Sequence, residues 1–252
     1  MLKVIVPNLN TQDSWKRTLG GIKNNANCID EVIIIDGNSI DKSGKYLHDN
    51  LIALNIKSKI FFQNPSGIIS AIRYGLSKVS KGHVIINLSG DRIVKLPKLS
   101  FIDGILYYGV CDVRNNKNEF LYQFKESNLN AVKYRMLKIN INSIVWPVED
   151  IKRFKSLHIN YKIASDFALL LEAYNSGIKF KFSKNIQSYF YADGLSSNKK
   201  MLSYGFGEVF FISLVFGSFY VSIIYNLIRL CCFKVNVLSF FEGFFDSFRK
   251  NI

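Results

Sequence analysis

Glu31-Val32-Ile33-Ile34-Ile35-Asp36-Gly37-Asn38-Ser39-Ile40-Asp41 sets a run of β-branched residues directly against a run of turn formers. No polar residue interrupts Val32–Ile35, so the first six residues read as a strand buried on both faces, ending in a polar loop. The same form recurs on either side. Lys3–Pro7 (KVIVP) leads into Asn8-Leu9-Asn10, Ser58–Asn64 (SKIFFQN) into Pro65-Ser66-Gly67, and His83–Ser89 (HVIINLS) into Gly90-Asp91. Helical stretches lie between them, over Ser14–Asn24, Lys42–Leu54 and Ser66–Ser80; Asp41 or Ser43 is placed to cap the second, and Gly82 follows the third. Strands alternating with helices predict βαβ units, a mainly parallel central sheet and a Rossmann-like α/β domain.

In such sheets a ligand lies beyond the carboxyl ends of the strands. Every strand end here carries Asn, Asp, Ser or Gly, the composition of a polar cleft. After Asp91 the pattern changes. Gly104–Arg114 and Glu119–Lys125 read as strands joined by the turn Asn115-Asn116-Lys117-Asn118, and a basic, less periodic stretch leads to Ile163-Ala164-Ser165-Asp166. Phe167–Ser176 reads as a helix with Gly177 in the C′ position.

Hydrophobic residues make up 48% of the 252-residue chain, enough for a sizeable core and too many for disorder. The four cysteines (Cys28, Cys111, Cys231, Cys232) form no CxxC pair, and the three histidines are too scattered for a zinc site. A reduced cytoplasmic compartment fits the cysteines best. The opening MLKVIVP is a strand rather than a charged segment followed by an apolar one, so the catalytic part is expected to stay in the cytosol. A net charge of +14, with Arg114, Lys117, Lys125, Lys133, Arg135, Lys138, Lys152, Arg153, Lys155 and Lys162 in the middle of the chain, favours anionic partners or a solvated basic surface. No nucleic-acid motif accompanies it, which argues against nucleic acid.

The C-terminal stretch differs again. Val209–Ile228 holds no charged residue, and as a helix would span roughly 30 Å, a bilayer core. Ser213, Gly217, Ser218, Ser222 and Asn226 moderate its hydropathy, and Lys199, Lys200, Arg229 and Lys234 flank it on both sides. Phe240, Phe241, Phe244, Phe245 and Phe248 fall on one helical face, as in a helix lying in a membrane interface; two helices of a soluble core are the alternative.

The chain from about Lys3 to Ser197 resembles family 2 glycosyltransferases of the GT-A fold, of the bacterial surface-polysaccharide type. KVIVPNLN looks like the opening strand and nucleotide loop, and EVIIIDGNSIDKSGKYL is similar to the family's Asp-Gly-x-Ser-x-Asp segment. NPSGIISAIRYGLSKVSKGHVIINLSGD resembles the third helix and the metal-bearing motif. KIASDFALLLEAYNSGIKFKF resembles the helix that carries the catalytic acid, and YADGLSS the turn that follows it. The resemblance implies a sugar transferase with a nucleotide-sugar donor and a lipid-linked or glycan acceptor. It assigns Pro7, Asn8, Asn10, Asp36, Gly37, Ser39, Asp41 and Gly67 to donor binding. It makes Asp91 a ligand of Mn²⁺ or Mg²⁺, and Asp166 the general base of an inverting reaction. It implies a nucleotide and metal half over residues 1–103 and an acceptor half over 104–206; the apolar and amphipathic C-terminal pattern adds a membrane-associated tail over 207–252. An anionic membrane surface on the cytoplasmic face is the expected location.

The chain also departs from the family pattern. Gly90 stands where relatives carry the middle acid, Pro65-Ser66-Gly67 where they have Asp-x-Gly, and Ser70 and Arg73 where they have Asp and Asn. A non-catalytic binding protein of the same fold is the alternative function. Loop shaping by Asp36 and Asp41, and helix capping by Asp166, are the alternative roles for those acids.

Overall fold

The computed structural model describes residues 1–98, 101–126, 139–159, 161–192, 199–216 and 237–251. Strands β1 (Leu2–Asn8), β2 (Glu31–Asp36), β3 (Ser58–Phe62) and β4 (His83–Ile86) form the expected parallel core, in the order β3-β2-β1-β4. Helices α1 (Trp15–Asn24), α2 (Ser43–Ala53) and α3 (Ile68–Ser77) make the crossovers. Alternation along each strand divides the apolar residues between two cores. Val4, Val6, Val32 and Ile34 pack with Ile22 of α1 and Leu47 and Leu51 of α2. Ile5, Ile33 and Ile35 pack on the other face with Ile69, Ile72 and Leu76 of α3. Cover on both faces is what the unbroken apolar runs require.

The second half extends the same sheet with mixed pairing. It supplies β5 (Arg92–Lys95), β6 (Ile105–Arg114), β7 (Phe120–Phe124), β8 (Ile144–Pro147) and β9 (Lys179–Tyr191), giving the order β3-β2-β1-β4-β8-β6-β9-β5 with β7 on β6. β8 runs antiparallel between β4 and β6, and β6 and β9 are parallel. β8 is not foreshadowed by the reading of the stretch before Ile163 as basic and aperiodic, and β9 lies beyond that stretch. Ile144-Val145-Trp146 is too short to show a period, yet all three are fully buried. Two further helices, α4 (Val148–Ile151) and α5 (Ser165–Asn175), pack onto this half. α5 begins two residues earlier than expected, so Asp166 lies in its first turn, and Gly177 closes it with φ +75°.

The last two described helices are α6 (Lys199–Phe216) and α7 (Val237–Asn251). A boundary between 206 and 207 therefore falls inside α6, and that helix belongs to the core: Val209 and Ile212 are buried with Tyr161, Ala164 and Leu171. Gly207 lies against the backbone of Phe240 and Phe244, and Gly243 against that of Tyr204, so the two helices meet where a side chain would separate them. Phe240 is buried at this contact while Phe241 and Phe245 are exposed, so the phenylalanines do not share one environment. Among the described residues no helix is long and apolar enough to cross a membrane. Lys133, Arg135, Lys138, the Gly194-Leu195-Ser196 turn, residues 217–228 of the apolar run, Arg229, Cys231, Cys232 and Lys234 lie outside the described residues.

Candidate active site

At the carboxyl ends of β1 and β2 a buried hydrogen-bond cluster forms around Asn8. Its Nδ2 donates to Asp36 Oδ2 at 2.7 Å, Ser43 Oγ at 2.9 Å and Ser39 Oγ at 3.1 Å, and its Oδ1 accepts from Thr11 Oγ1 at 2.9 Å. Asp36 is 2% exposed, and its Oδ1 accepts the Ser39 amide at 2.7 Å. Asn10 closes the two loops onto each other: its amide donates to Ser39 Oγ and its Oδ1 accepts the Ile40 amide. Asp41 accepts the Gln12 amide at 2.7 Å and the Ser43 amide at 2.9 Å. Burial alone would raise its pKa, but hydrogen bonds from Ser43 and Gln12 outweigh that and hold it below the usual carboxylate range. Asp41 thus accepts the first backbone N–H of α2, although the N-cap position falls on Lys42 rather than on Asp41 or Ser43.

Tension is stored in these loops. Asn10, Gln12, Asn38 and Lys42 all adopt left-handed backbone, with φ of 50°, 46°, 57° and 57°. Left-handed non-glycine residues cost free energy and cluster where surrounding structure imposes them, commonly at functional sites. The Gly37 amide donates to the Asn8 carbonyl, and Asn38 Nδ2 reaches Asn64 Oδ1 at 3.1 Å, tying in the loop after β3. Gly67 precedes α3 with φ +94°, and the Pro7 carbonyl accepts the Ser89 amide. The residues assigned to the donor are therefore gathered at one end of the sheet, across three neighbouring loops and the start of α3.

Asp91 belongs to a different construction. It is 5% exposed; its Oδ2 accepts from Asn142 Nδ2 at 2.8 Å and its Oδ1 from the Tyr191 amide at 2.9 Å. Its carbonyl accepts from Thr18 Oγ1 on α1, while Thr18 Oγ1 also receives the Gly90 amide. Asn142 Oδ1 in turn accepts the Leu88 amide. Asp91 thereby joins β4, α1 and the two later segments ending in β8 and β9. Gly90 has φ +103°, a conformation that disfavours any acid placed there, which gives the departure from the family pattern a backbone cause. Asn142 and Tyr191 are site-shaping residues that no sequence signal near Asp91 announces.

Asp166 Oδ1 accepts the Phe167 amide at 2.8 Å, and the side chain is half-buried. The segment that leads into it is held by Glu208 of α6. This fully buried carboxylate accepts the amides of Lys162, Ile163 and Ala164 at 2.7, 2.9 and 3.0 Å. Glu172 does the same for Lys155 and Ser156. Backbone donors in these basic loops are thus satisfied by carboxylates reaching across from other elements.

Residues 3–100 match the model of glycosyl transferase family 2. No curated protein matches the chain. Solved structures do: TarS 1–349 of S. aureus superposes with a TM-score of 0.63 at 14% identity, covering 94% of this chain and 75% of that one. The same protein in complex with UDP-GlcNAc gives 0.60 at 13% identity, with 91% and 71% covered. GalNAc-T7 with UDP, GalNAc and Mn²⁺ gives 0.57 at 11% identity, with 91% and 55% covered. Residues 3–100 thus resemble a family 2 glycosyl transferase domain, and the chain as a whole has the GT-A fold.

Proposed function

We propose that this enzyme moves a sugar from a nucleoside-diphosphate donor to a lipid-linked or glycan acceptor, with inversion, in cell-surface polysaccharide synthesis. The observation that carries the donor reading is the cluster around Asn8. Asp36, Ser39 and Ser43 fix the two loops that end β1 and β2, so the Asn10 and Asp41 edges are held rigid before any ligand arrives. Asn10, Gly37 and Gly67 line the polar rim on which a nucleoside and its phosphates would rest. Asp36 acts here through the loop it organises, since both its oxygens face the protein. Asp166, in the first turn of α5, is the carboxylate that takes the acceptor hydroxyl proton as that oxygen attacks the anomeric carbon. Glu208 keeps its helix start in place.

A divalent cation is the usual counter-charge for a nucleoside-diphosphate leaving group. The described residues do not fit a protein-held one. Among the described residues no three His, Cys, Asp or Glu side chains approach as a ligand set. Both oxygens of Asp91 already accept hydrogen bonds, from Asn142 and the Tyr191 amide, and Mg²⁺ demands a near-octahedral shell of oxygens. Mn²⁺ in GalNAc-T7 belongs to that protein's complex.

For location we propose the cytoplasmic face of a membrane. The exposed rings of Phe241 and Phe245 on α7 and the +14 charge support an anionic surface as partner. The test of the donor reading is a thermal-shift screen of UDP-, GDP- and dTDP-sugars. A ligand present at 100-fold its dissociation constant should stabilise the fold by about 2.7 kcal/mol. One nucleotide class is expected to stand out, and Asn8→Ala to lose the shift. A flat response to every donor would overturn the reading.

A further inference from the structure

Where α1 and α2 begin, a cleft of about 400 Å³ is lined by Gln12, Asp13, Trp15, Lys16, Asp41 and Tyr46. Trp15 opens α1 and Tyr46 stands in the first turn of α2, with ring centroids 6.3 Å apart and planes tilted by 31°. Trp15 packs in part against the core that holds Ile22 and Leu47, whereas Tyr46 is 47% exposed. Asp41 draws in the Gln12 amide at 2.7 Å and so holds Gln12 at its left-handed φ of 46°. Three lining groups carry hydrogen-bonding capacity that no described residue uses: the Trp15 indole N–H, the Tyr46 hydroxyl and the Gln12 carboxamide. An apolar wall with a few polar groups is the usual make-up of a small-ligand pocket.

Charge narrows what this cleft can hold. In a chain of net charge +14 its lining carries one ammonium, Lys16, against the carboxylates of Asp13 and Asp41. Lys16 is itself neutralised by Asp13, with Nζ 2.7 Å from Oδ1. Nucleotides, diphosphates and anionic headgroups would therefore meet repulsion here, on a molecule whose net charge otherwise attracts them. A neutral sugar ring meets none. It presents C–H bonds on its faces and hydroxyls around its edge. Polarised C–H hydrogens suit the negative face of an aromatic ring, and the hydroxyls suit a carboxamide, a phenol, an indole N–H and carboxylate oxygens. Of the residues assigned to the donor, Asp41 alone lines the cleft, and its two oxygens already accept the Gln12 and Ser43 amides.

We propose that the cleft between α1 and α2 is a saccharide-binding site outside the donor rim, taking a unit of a neutral glycan through Trp15 and Tyr46. Its link to catalysis rests on the glycan-acceptor reading: a chain held here stays at high local concentration while its end reacts. Its affinity for sugar does not depend on that reading.

The chain has two tryptophans, and Trp146 is fully buried, so a sugar-induced change in emission reports on Trp15. The test is a fluorescence titration of the full chain with maltohexaose, cellohexaose and chitohexaose, with and without excess UDP. At least one of the three is expected to change the emission saturably, with little dependence on salt, as suits an uncharged ligand. Tyr46→Ala should weaken binding about tenfold, the size of one aromatic contact. Tyr46→Phe keeps the ring and should lose less. The Tyr46 side chain is half exposed, so both variants should fold, which unchanged melting temperatures would verify. Binding that persists in excess UDP supports a separate site. Displacement by UDP, no response to any of the three sugars, or equal affinity in native protein and Tyr46→Ala overturns the proposal. Sugar binding by a chain that binds no nucleotide supports the site and counts against the donor reading alone.

Discussion

Asp36 and Asp91 are buried to a similar depth at the carboxyl ends of β2 and β4, the parallel strands on either side of β1, yet they are held in opposite ways. Asp36 is bonded to Ser39, three residues away, and to Asn8 at the end of the adjoining strand. Asp91 is bonded to Asn142 and Tyr191, which reach it from 51 and 100 residues further along the chain. One carboxylate shapes a loop that the first half builds by itself. The other is the knot between the halves. The contrast teaches that the loops after β1 and β2 are a local property, whereas the geometry around Asp91 depends on the whole sheet.

That contrast can be broken experimentally, and the largest effect should come from the far side of the knot. Glu208→Ala leaves three amides without this acceptor, one buried and two part-buried, at about 1–3 kcal/mol for each unsatisfied buried group before relaxation. Chemical denaturation should show a loss of about 4 kcal/mol, with Glu208→Gln recovering part of it; a loss under 1 kcal/mol would mean that water replaces the carboxylate. Asp91→Ala strands Asn142 Nδ2 and the Tyr191 amide, and should cost about 3 kcal/mol. Hydrogen exchange should speed at Tyr191 while the amides of β2 stay protected. Uniform loosening of both halves would erase the distinction.

Smaller changes sharpen the local side. A methyl group at Gly44 would collide with the Asp36 carboxylate and crowd Asn8. Gly44→Ala should therefore destabilise by about 1–3 kcal/mol, although alanine is the better helix former. It should also weaken nucleotide binding; unaltered affinity would show that the Asn8 cluster does not shape the donor rim. The smallest effect concerns His83. Burial lowers its pKa below 6.5, against weaker opposing contributions from the Ile102 carbonyl and Asp103. A depressed histidine binds its proton more readily when unfolded, so its stability contribution is present above pH 6.5 and lost as pH falls. The melting temperature should drop between pH 7 and pH 5 by more in the native chain than in His83→Gln, and equal slopes would rule out this source.

The difference between the two carboxylates also explains what was legible in the sequence. EVIIID, KVIVP and HVIINLS announce their strands because a strand buried on both faces leaves an unbroken apolar run, and the loops after them carry the Asn, Asp and Ser that the structure brings together. β8 gave no such signal: Ile144–Pro147 is four residues long and takes its strand conformation from β4 and β6 on either side. β9 did carry a trace in Lys179-Phe180-Lys181-Phe182, whose alternation is that of a strand with one wetter face. Glu208 was hidden by composition, since a single acid inside an apolar run reads as the edge of a tail. Its meaning appears only when Lys162, Ile163 and Ala164 are seen to need an acceptor.

The central claim is that Asp166 takes a proton during sugar transfer from a nucleotide donor whose binding site lies elsewhere in the chain. Release of nucleoside diphosphate from the donor selected by the thermal screen, measured for native protein and Asp166→Asn with donor affinity determined in parallel, tests it directly. The account predicts turnover by the native enzyme, unchanged donor affinity in the variant, and a rate about 10²–10⁴-fold lower. A variant that turns over at the native rate would contradict it, leaving Asp166 as no more than part of the first turn of α5.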